Sequence, residues 1–265
     1  MFTRVQLAKK YLHYYLTASN GKGHGIHSPF VFDFIDHVLN DKKKYSCYSA
    51  IEKRREELLN DASVIEVEDF GAGSSVIKTN KRVVKHIARS SLKPKKFAQL
   101  LFRMVQYYQP KTIAELGTSF GITTAYLAVG NSNAIVYTCE GAKNIAAIAK
   151  QTFSQLQLKN INLTEGDFAA TLPSLLGQLK TVDLAFVDGN HRKQPTQDYF
   201  ARLLSVSTNS TILIFDDIHW SVEMEEAWQH IKEHPTVTLT IDLFFIGIVI
   251  VNNDIKAKQH FVLRF

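Results

Sequence analysis

With 265 residues, 45% of them hydrophobic, the chain can bury a full core, which excludes a short disordered adaptor and fits one ordinary domain plus an appended region. Cys47 and Cys139 are the only cysteines, and neither sits in a paired motif, so a disulfide framework or a cysteine-held zinc has nothing to build on. The net charge of +6 is uneven: residues 1–110 hold 19 Lys and Arg against 10 Asp and Glu, whereas the remainder holds 12 against 15. That asymmetry suits a solvated helical surface, or a basic region that meets an anionic substrate, a nucleic acid or a membrane surface.

The N-terminus, MFTRVQLAKKYLHYYLTASNGKGH, has no apolar run long enough for a signal peptide, and no later segment approaches a membrane span. A cytoplasmic protein with free thiols is expected. Apolar residues spaced by three and four predict helices over Phe2–Thr17, Pro29–Leu39, Ser49–Leu59, Lys81–Ala88 and Pro94–Tyr108. Two turn-rich breaks interrupt them, Asn20–Ser28 (NGKGHGIHS) and Asp69–Ser75 (DFGAGSS). In the first, His24 and His27 lack a nearby Cys or acid to complete a metal set, so a substrate-side loop is expected, with Ser28 capping the helix that starts at Pro29.

From Lys111 onward, β-branched runs alternate with helical patterns: TIAEL, AIVYTCE, INLTEG, VDLAFVD and TILIFDD, with helices over Thr123–Val129, Ala142–Gln155, Pro195–Ser205 and Ser221–Glu233. This rhythm predicts a parallel sheet covered by helices. The runs Val237–Asp242 and Phe244–Val251 are too close for a crossover helix and should form an antiparallel hairpin. The expected fold is α/β and doubly wound, a mostly parallel seven-stranded sheet with a C-terminal hairpin. Residues 1–93 form a helical lid or substrate region before a cofactor-binding domain, 94–265.

Within Ile113–Ala128 (IAELGTSFGITTAYLA), a strand ending at Glu115 runs into Gly117-Thr-Ser-Phe-Gly121 and then a helix, the layout for a ligand at the carboxyl end of a sheet. Glycines let the backbone approach that ligand, and the helix N-terminus at Ile122–Thr124 offers free N–H groups to a carboxylate or phosphate. The spacing is G-x-x-x-G, not the G-x-G-x-x-G of dinucleotide sites. The next strand ends in Glu140, which can accept from both ribose hydroxyls, and the third is followed by Gly166-Asp167, where a carboxylate can take an adenine amino group. Three polar stops after three successive strands describe an adenosyl pocket. Asp69–Ser75 looks similar but precedes a basic stretch without a second acid-ended strand, so it reads as a turn or lid.

The ordered set ELGTSFGITTAYLA, CE, EGD, VDGNH and FDDIHW resembles the motifs of class I S-adenosylmethionine (SAM) methyltransferases, and within them the catechol-type small-molecule O-methyltransferases, over about residues 95–251. The resemblance implies a Rossmann-like methyltransferase fold. It implies also that Glu115, Gly117, Thr118 and Thr123 surround the methionine part of the cofactor, while Glu140 holds the ribose and Asp167 the adenine. N-terminal helices in such proteins form lids and dimer contacts, which implies a homodimer.

Asp188 ends the fourth strand and Asp216 and Asp217 end the fifth; three carboxylates there repel one another unless a cation joins them. Mg²⁺ fits oxygen ligands and lowers the pKa of a bound hydroxyl. The alternative is that Asp188 binds the cofactor and another acid caps the helix near Ser221. The catechol-type family places its metal ligands at these positions, with Asn common where this chain has Asp217. His191 stands where that family carries a catalytic lysine, and an imidazole there can take the acceptor's proton. His219 and Trp220 are expected to line the acceptor pocket. The sequence thus predicts a SAM-dependent O-methyltransferase acting on a small molecule, Mg²⁺-assisted, with Asp188 and His191 as its catalytic pair. Its rivals are an RNA or polyanion methyltransferase, which no aromatic-interleaved basic motif supports, and a non-catalytic SAM-binding protein.

Overall fold

The computed structural model describes residues 1–23, 25–67, 80–252 and 254–265. His24 and the glycine-rich segment Asp69–Ser75 therefore lie outside the described residues. The chain gathers into two compact units, Met1–Asp41 with Leu179–Phe265, and Lys42–Gln178.

The first unit opens with α1 (Arg4–Thr17), held at its start by a reciprocal capping box between Thr3 and Gln6. Next, α2 (Pro29–Phe34) starts at the proline the sequence predicts, but Ser28 at its N-cap makes no side-chain capping hydrogen bond, contrary to the cap expected there. The single helix expected to run on to Leu39 instead widens into a π-helical turn over Ile35–Leu39, with the Asn40 N–H donating to the Ile35 carbonyl at 3.0 Å.

In the second unit, α3 (Cys47–Asn60) precedes a small antiparallel ribbon of β1 (Val64–Glu66) and β2 (Lys81–Val83). The helix expected from Lys81 starts only at α4 (Val84–Ser91), because the three residues before it pair with β1. Then come α5 (Lys95–Tyr108), β3 (Thr112–Leu116), α6 (Ile122–Gly130), β4 (Ile135–Glu140), α7 (Lys143–Gln155), β5 (Ile161–Glu165) and α8 (Phe168–Gln178). Strands β3, β4 and β5 lie side by side and parallel. Left-handed Gln109 ends α5, whose buried face includes Leu100, Leu101, Met104 and Val105. Nearly all of α6 is buried, and its Tyr126 hydroxyl donates to Glu52 of α3 at 2.7 Å.

The first unit resumes with β6 (Val182–Val187), α9 (Lys193–Leu204), β7 (Ser207–Asp216), α10 (Val222–Glu233), β8 (Leu239–Asp242), β9 (Ile246–Ile250) and β10 (Gln259–Val262). Their order is β10-β8-β9-β7-β6. As expected, β6 and β7 are parallel and β8–β9 is an antiparallel hairpin. Every residue of β8 and β9 is buried, which explains their nearly unbroken apolar runs. The Ser221 hydroxyl caps α10 by accepting from the Met224 N–H at 3.2 Å. An eighth main-sheet strand, β10, adds to the seven read from the sequence, pairing parallel with β8. The main strands alternate with helices in a doubly wound α/β fold, parallel except at β9.

Helix α1 packs with the C-terminal strands of its own unit. Tyr14, Ala18 and Phe244 form a small buried cluster flanked by Leu7, Tyr11 and Phe245, and the Tyr14 hydroxyl donates to the Leu263 carbonyl. No helix among the described residues is long and apolar enough to cross a membrane.

Candidate active site

In the Lys42–Gln178 unit, the turn from β3 to α6 is built by backbone geometry. Gly117, Ser119 and Gly121 have φ of 107°, 49° and 79°. Glycine is required at 121 on two counts: the left-handed backbone, and Phe153, whose Cε1 would stand 2.5 Å from an added Cβ. The N–H groups of Gly117 and Thr118 both donate to the Cys139 carbonyl at 3.1 Å, tying the turn to the end of β4.

Glu115 is wholly buried, and its Oε2 accepts from the hydroxyls of Thr124 at 2.5 Å and Thr138 at 2.7 Å. Thr118 joins this group through a 2.6 Å contact with the Thr138 hydroxyl. Glu115 thus braces the first turn of α6 from within the fold. Thr118 and Thr123 are buried with it.

Glu140 ends β4 and accepts from the N–H of Ser119 at 2.8 Å through Oε2 and from that of Ala142 at 3.0 Å through Oε1. Burial raises its pKa above the usual carboxylate value, and backbone donors from Ala142, Ser119 and Gly141 oppose that rise. A cavity of about 240 Å³ is lined by Ser119, Glu140 and Ile145 together with Arg82, His86, Ile87, Ser90 and Ser91 of β2 and α4. The hydroxyls of Ser91 and Ser119 meet at 2.9 Å. Asp167 precedes α8, and the Gly166 N–H before it donates to the Glu140 carbonyl at 2.9 Å.

Sequence reasoning overlooked Ser119, Thr138 and the α4 residues. Ser119 could have been suspected from its place between the two glycines; α4 gave no signal, because only the three-dimensional packing brings it to Glu140. Burial also pushes the Cys139 thiol up to about 11, and both cysteines are free thiols.

In the other unit, the ends of β6 and β7 bring Asp188, His191 and Asp216 together, with one donor atom from each within 4.8 Å of the others. His191 Nε2 lies 3.5 Å from Asp188 Oδ1 and 4.0 Å from Asp217 Oδ2. Left-handed backbone at Asn190 and Asp217, φ 50° and 54°, shapes both loops, and the Asp217 N–H donates to the Phe245 carbonyl at 2.7 Å. Asp216 is buried, whereas Asp188, His191 and Asp217 are partly exposed. Two carboxylates and an imidazole at this spacing form a donor set that fits a divalent ion.

His219 lies in a different network of the same unit. Its Nδ1 is 3.0 Å from Glu225 and its Nε2 2.8 Å from Asp242, and the ring stacks on Phe244. Burial pulls its pKa down, but the bonds and charges of Asp242 and Glu225 outweigh that and leave it raised. Lys10 of α1 completes the network with a 3.0 Å bond to Glu225. Trp220 sits beside it, its N–H donating to the Asp217 carbonyl at 2.9 Å.

Residues 114–218 match the family model described as a methyltransferase domain. No curated protein matches the sequence. Among solved structures, the O-methyltransferase from Bacillus cereus in complex with SAH is similar at 19% identity and a TM-score of 0.57, over 80% of this chain and 94% of that one. The O-methyltransferase TomG from Streptomyces achromogenes, involved in tomaymycin synthesis and solved with SAM, has 17% identity and a TM-score of 0.53, over 80% and 92%. The SAH-bound methyltransferase PaMTH1 from Podospora anserina has 13% identity and a TM-score of 0.59, over 96% and 98%. At these identities the structural likenesses establish the fold, which is the Rossmann-like fold of class I methyltransferases. Residues 114–218 are thus similar to a methyltransferase domain, within a chain that has the fold of these SAM- and SAH-bound proteins.

Proposed function

We propose that the chain transfers the methyl group of SAM to an oxygen of a small-molecule acceptor, with help from a divalent ion, and that it does so in the cytoplasm. The observation that carries this reading is the glycine turn of the matched domain, whose Ser119 lines a cavity together with Glu140. In it, Glu140 takes the ribose hydroxyls and Asp167 the adenine amino group. Gly117, Thr118, Gly121 and Thr123 surround the methionine part, where the first N–H groups of α6 favour a carboxylate. Glu115 acts at one remove, holding Thr124 and Thr138 in place.

SAM supplies an electrophilic methyl, and a divalent ion supplies positive charge that lowers the pKa of an acceptor hydroxyl. Asp188 and Asp216 would hold such an ion, with Asp217 as the third acid expected from the sequence, and His191, within reach of both clustered acids and 4.0 Å from Asp217, would serve as proton acceptor or further donor. Residues 1–93 select the acceptor, and two copies pair through their N-terminal helices.

Incubation with methyl-labelled SAM and a panel of catechols and phenols tests the reading. Label is expected on an acceptor oxygen, with matching S-adenosylhomocysteine (SAH) release. Label in RNA alone, with binding that falls steeply as salt rises, would overturn it in favour of the polyanion reading that the basic residues 1–110 motivate. SAH binding without turnover on any acceptor would make the chain a binding protein.

A further inference from the structure

We infer that His191 is itself a metal ligand, completing with Asp188 and Asp216 a mixed nitrogen and oxygen site that prefers divalent ions of the Mn²⁺ to Zn²⁺ series over Mg²⁺. The inference rests on the metal-assisted reading above and assigns the ion's class and its third donor.

One donor atom each of Asp188, His191 and Asp216 lies within 4.8 Å of the other two. Ligands about 2.1 Å from a common ion stand about 3 Å apart when adjacent and about 4.2 Å when opposite. Small side-chain adjustments therefore bring all three onto one centre. The 3.5 Å between His191 Nε2 and Asp188 Oδ1 points the same way. A charge-assisted hydrogen bond would be about 2.8 Å; the longer separation lies between the adjacent and opposite ligand spacings. Asp216 is a buried anchor at the end of β7, while His191 and Asp188 lie on the partly exposed loop after β6.

The donor chemistry then selects the metal. Mg²⁺ demands oxygen ligands in near-ideal octahedral geometry and keeps several waters, whereas an imidazole nitrogen suits borderline ions later in the first row. A ring nitrogen bound to metal cannot also take the acceptor's proton, so this assignment removes Nε2 of His191 as the base.

The full chain, stripped with chelator, is titrated with Mn²⁺ alone and followed by electron paramagnetic resonance. One bound ion is expected, with pulsed-resonance modulation from a directly coordinated imidazole nitrogen. Stoichiometric Zn²⁺ or Co²⁺ should displace it, and Mg²⁺ only in large excess. His191→Ala should abolish the nitrogen modulation and weaken Mn²⁺ binding by about tenfold or more while SAH affinity persists, which shows the variant is folded. Bound Mn²⁺ without nitrogen modulation, lost in Asp188→Ala and unchanged in His191→Ala, overturns the histidine ligand and leaves an all-oxygen site. No bound Mn²⁺ with SAH affinity intact overturns the inference and metal assistance together, leaving the methyltransferase reading in place. Absence of SAH binding as well would strike that reading itself.

Discussion

The glycine turn after β3 and the acid–histidine group after β6 and β7 differ in how they are held. In the turn, positive-φ residues, backbone bonds to Cys139 and a buried carboxylate braced by two threonines fix the geometry before any ligand arrives. In the acid–histidine group, the only fully buried member is Asp216, and its partners sit on loops at spacings longer than hydrogen bonds. A site built from backbone is preorganised; a site built from loop side chains takes its final geometry from what it binds.

The sharpest way to break this contrast is to delete one carboxylate from each region. Glu115→Ala strands two hydroxyls in the core and should cost about 3 kcal/mol in urea unfolding, whereas Asp188→Ala should cost less than about 0.5 kcal/mol in metal-free protein. Equal losses would mean that the acid–histidine group is as structural as the turn. Next in size, Gly121→Ala combines a left-handed backbone with the clash at Phe153 and should cost about 1–3 kcal/mol, read as a lower melting temperature and weaker SAH binding.

The pH dependence follows from Glu140, whose folded-state pKa is raised by burial. The carboxylate proposed to accept ribose hydroxyls is complete above that raised value and is lost as pH falls through it. SAH affinity should therefore begin to fall on the acid side at a pH above the ordinary glutamate range, and Glu140→Gln should remove this dependence. The smallest effect belongs to Lys10, whose pair with Glu225 is partly exposed: Lys10→Ala should cost under about 1 kcal/mol and less at high salt.

How much of this was legible in the sequence follows the same division. The turn, Glu140 and Asp167 could be read because strand ends and glycines carry fixed meanings in a doubly wound sheet. Helix α8 escaped notice because Pro173 and Gly177 disguise its pattern, and β10 because a four-residue edge strand with alternating exposure resembles a tail. Lys81–Val83 reads as helix locally, but pairing with β1 overrides that preference. The partners of His219, Glu225 and Asp242, come from other elements, which spacing along the chain does not reveal.

The Gly117–Gly121 turn and Glu140 are proposed above to hold the adenosyl cofactor. Isothermal calorimetry of SAH against the wild-type chain, Gly117→Arg and Glu140→Ala tests this most directly. One-site binding to the wild type is predicted, with Glu140→Ala weakened by about a hundredfold, as expected for two hydrogen bonds to a charged acceptor, and Gly117→Arg abolished. Unchanged affinity in both variants would place the cofactor elsewhere and contradict the account.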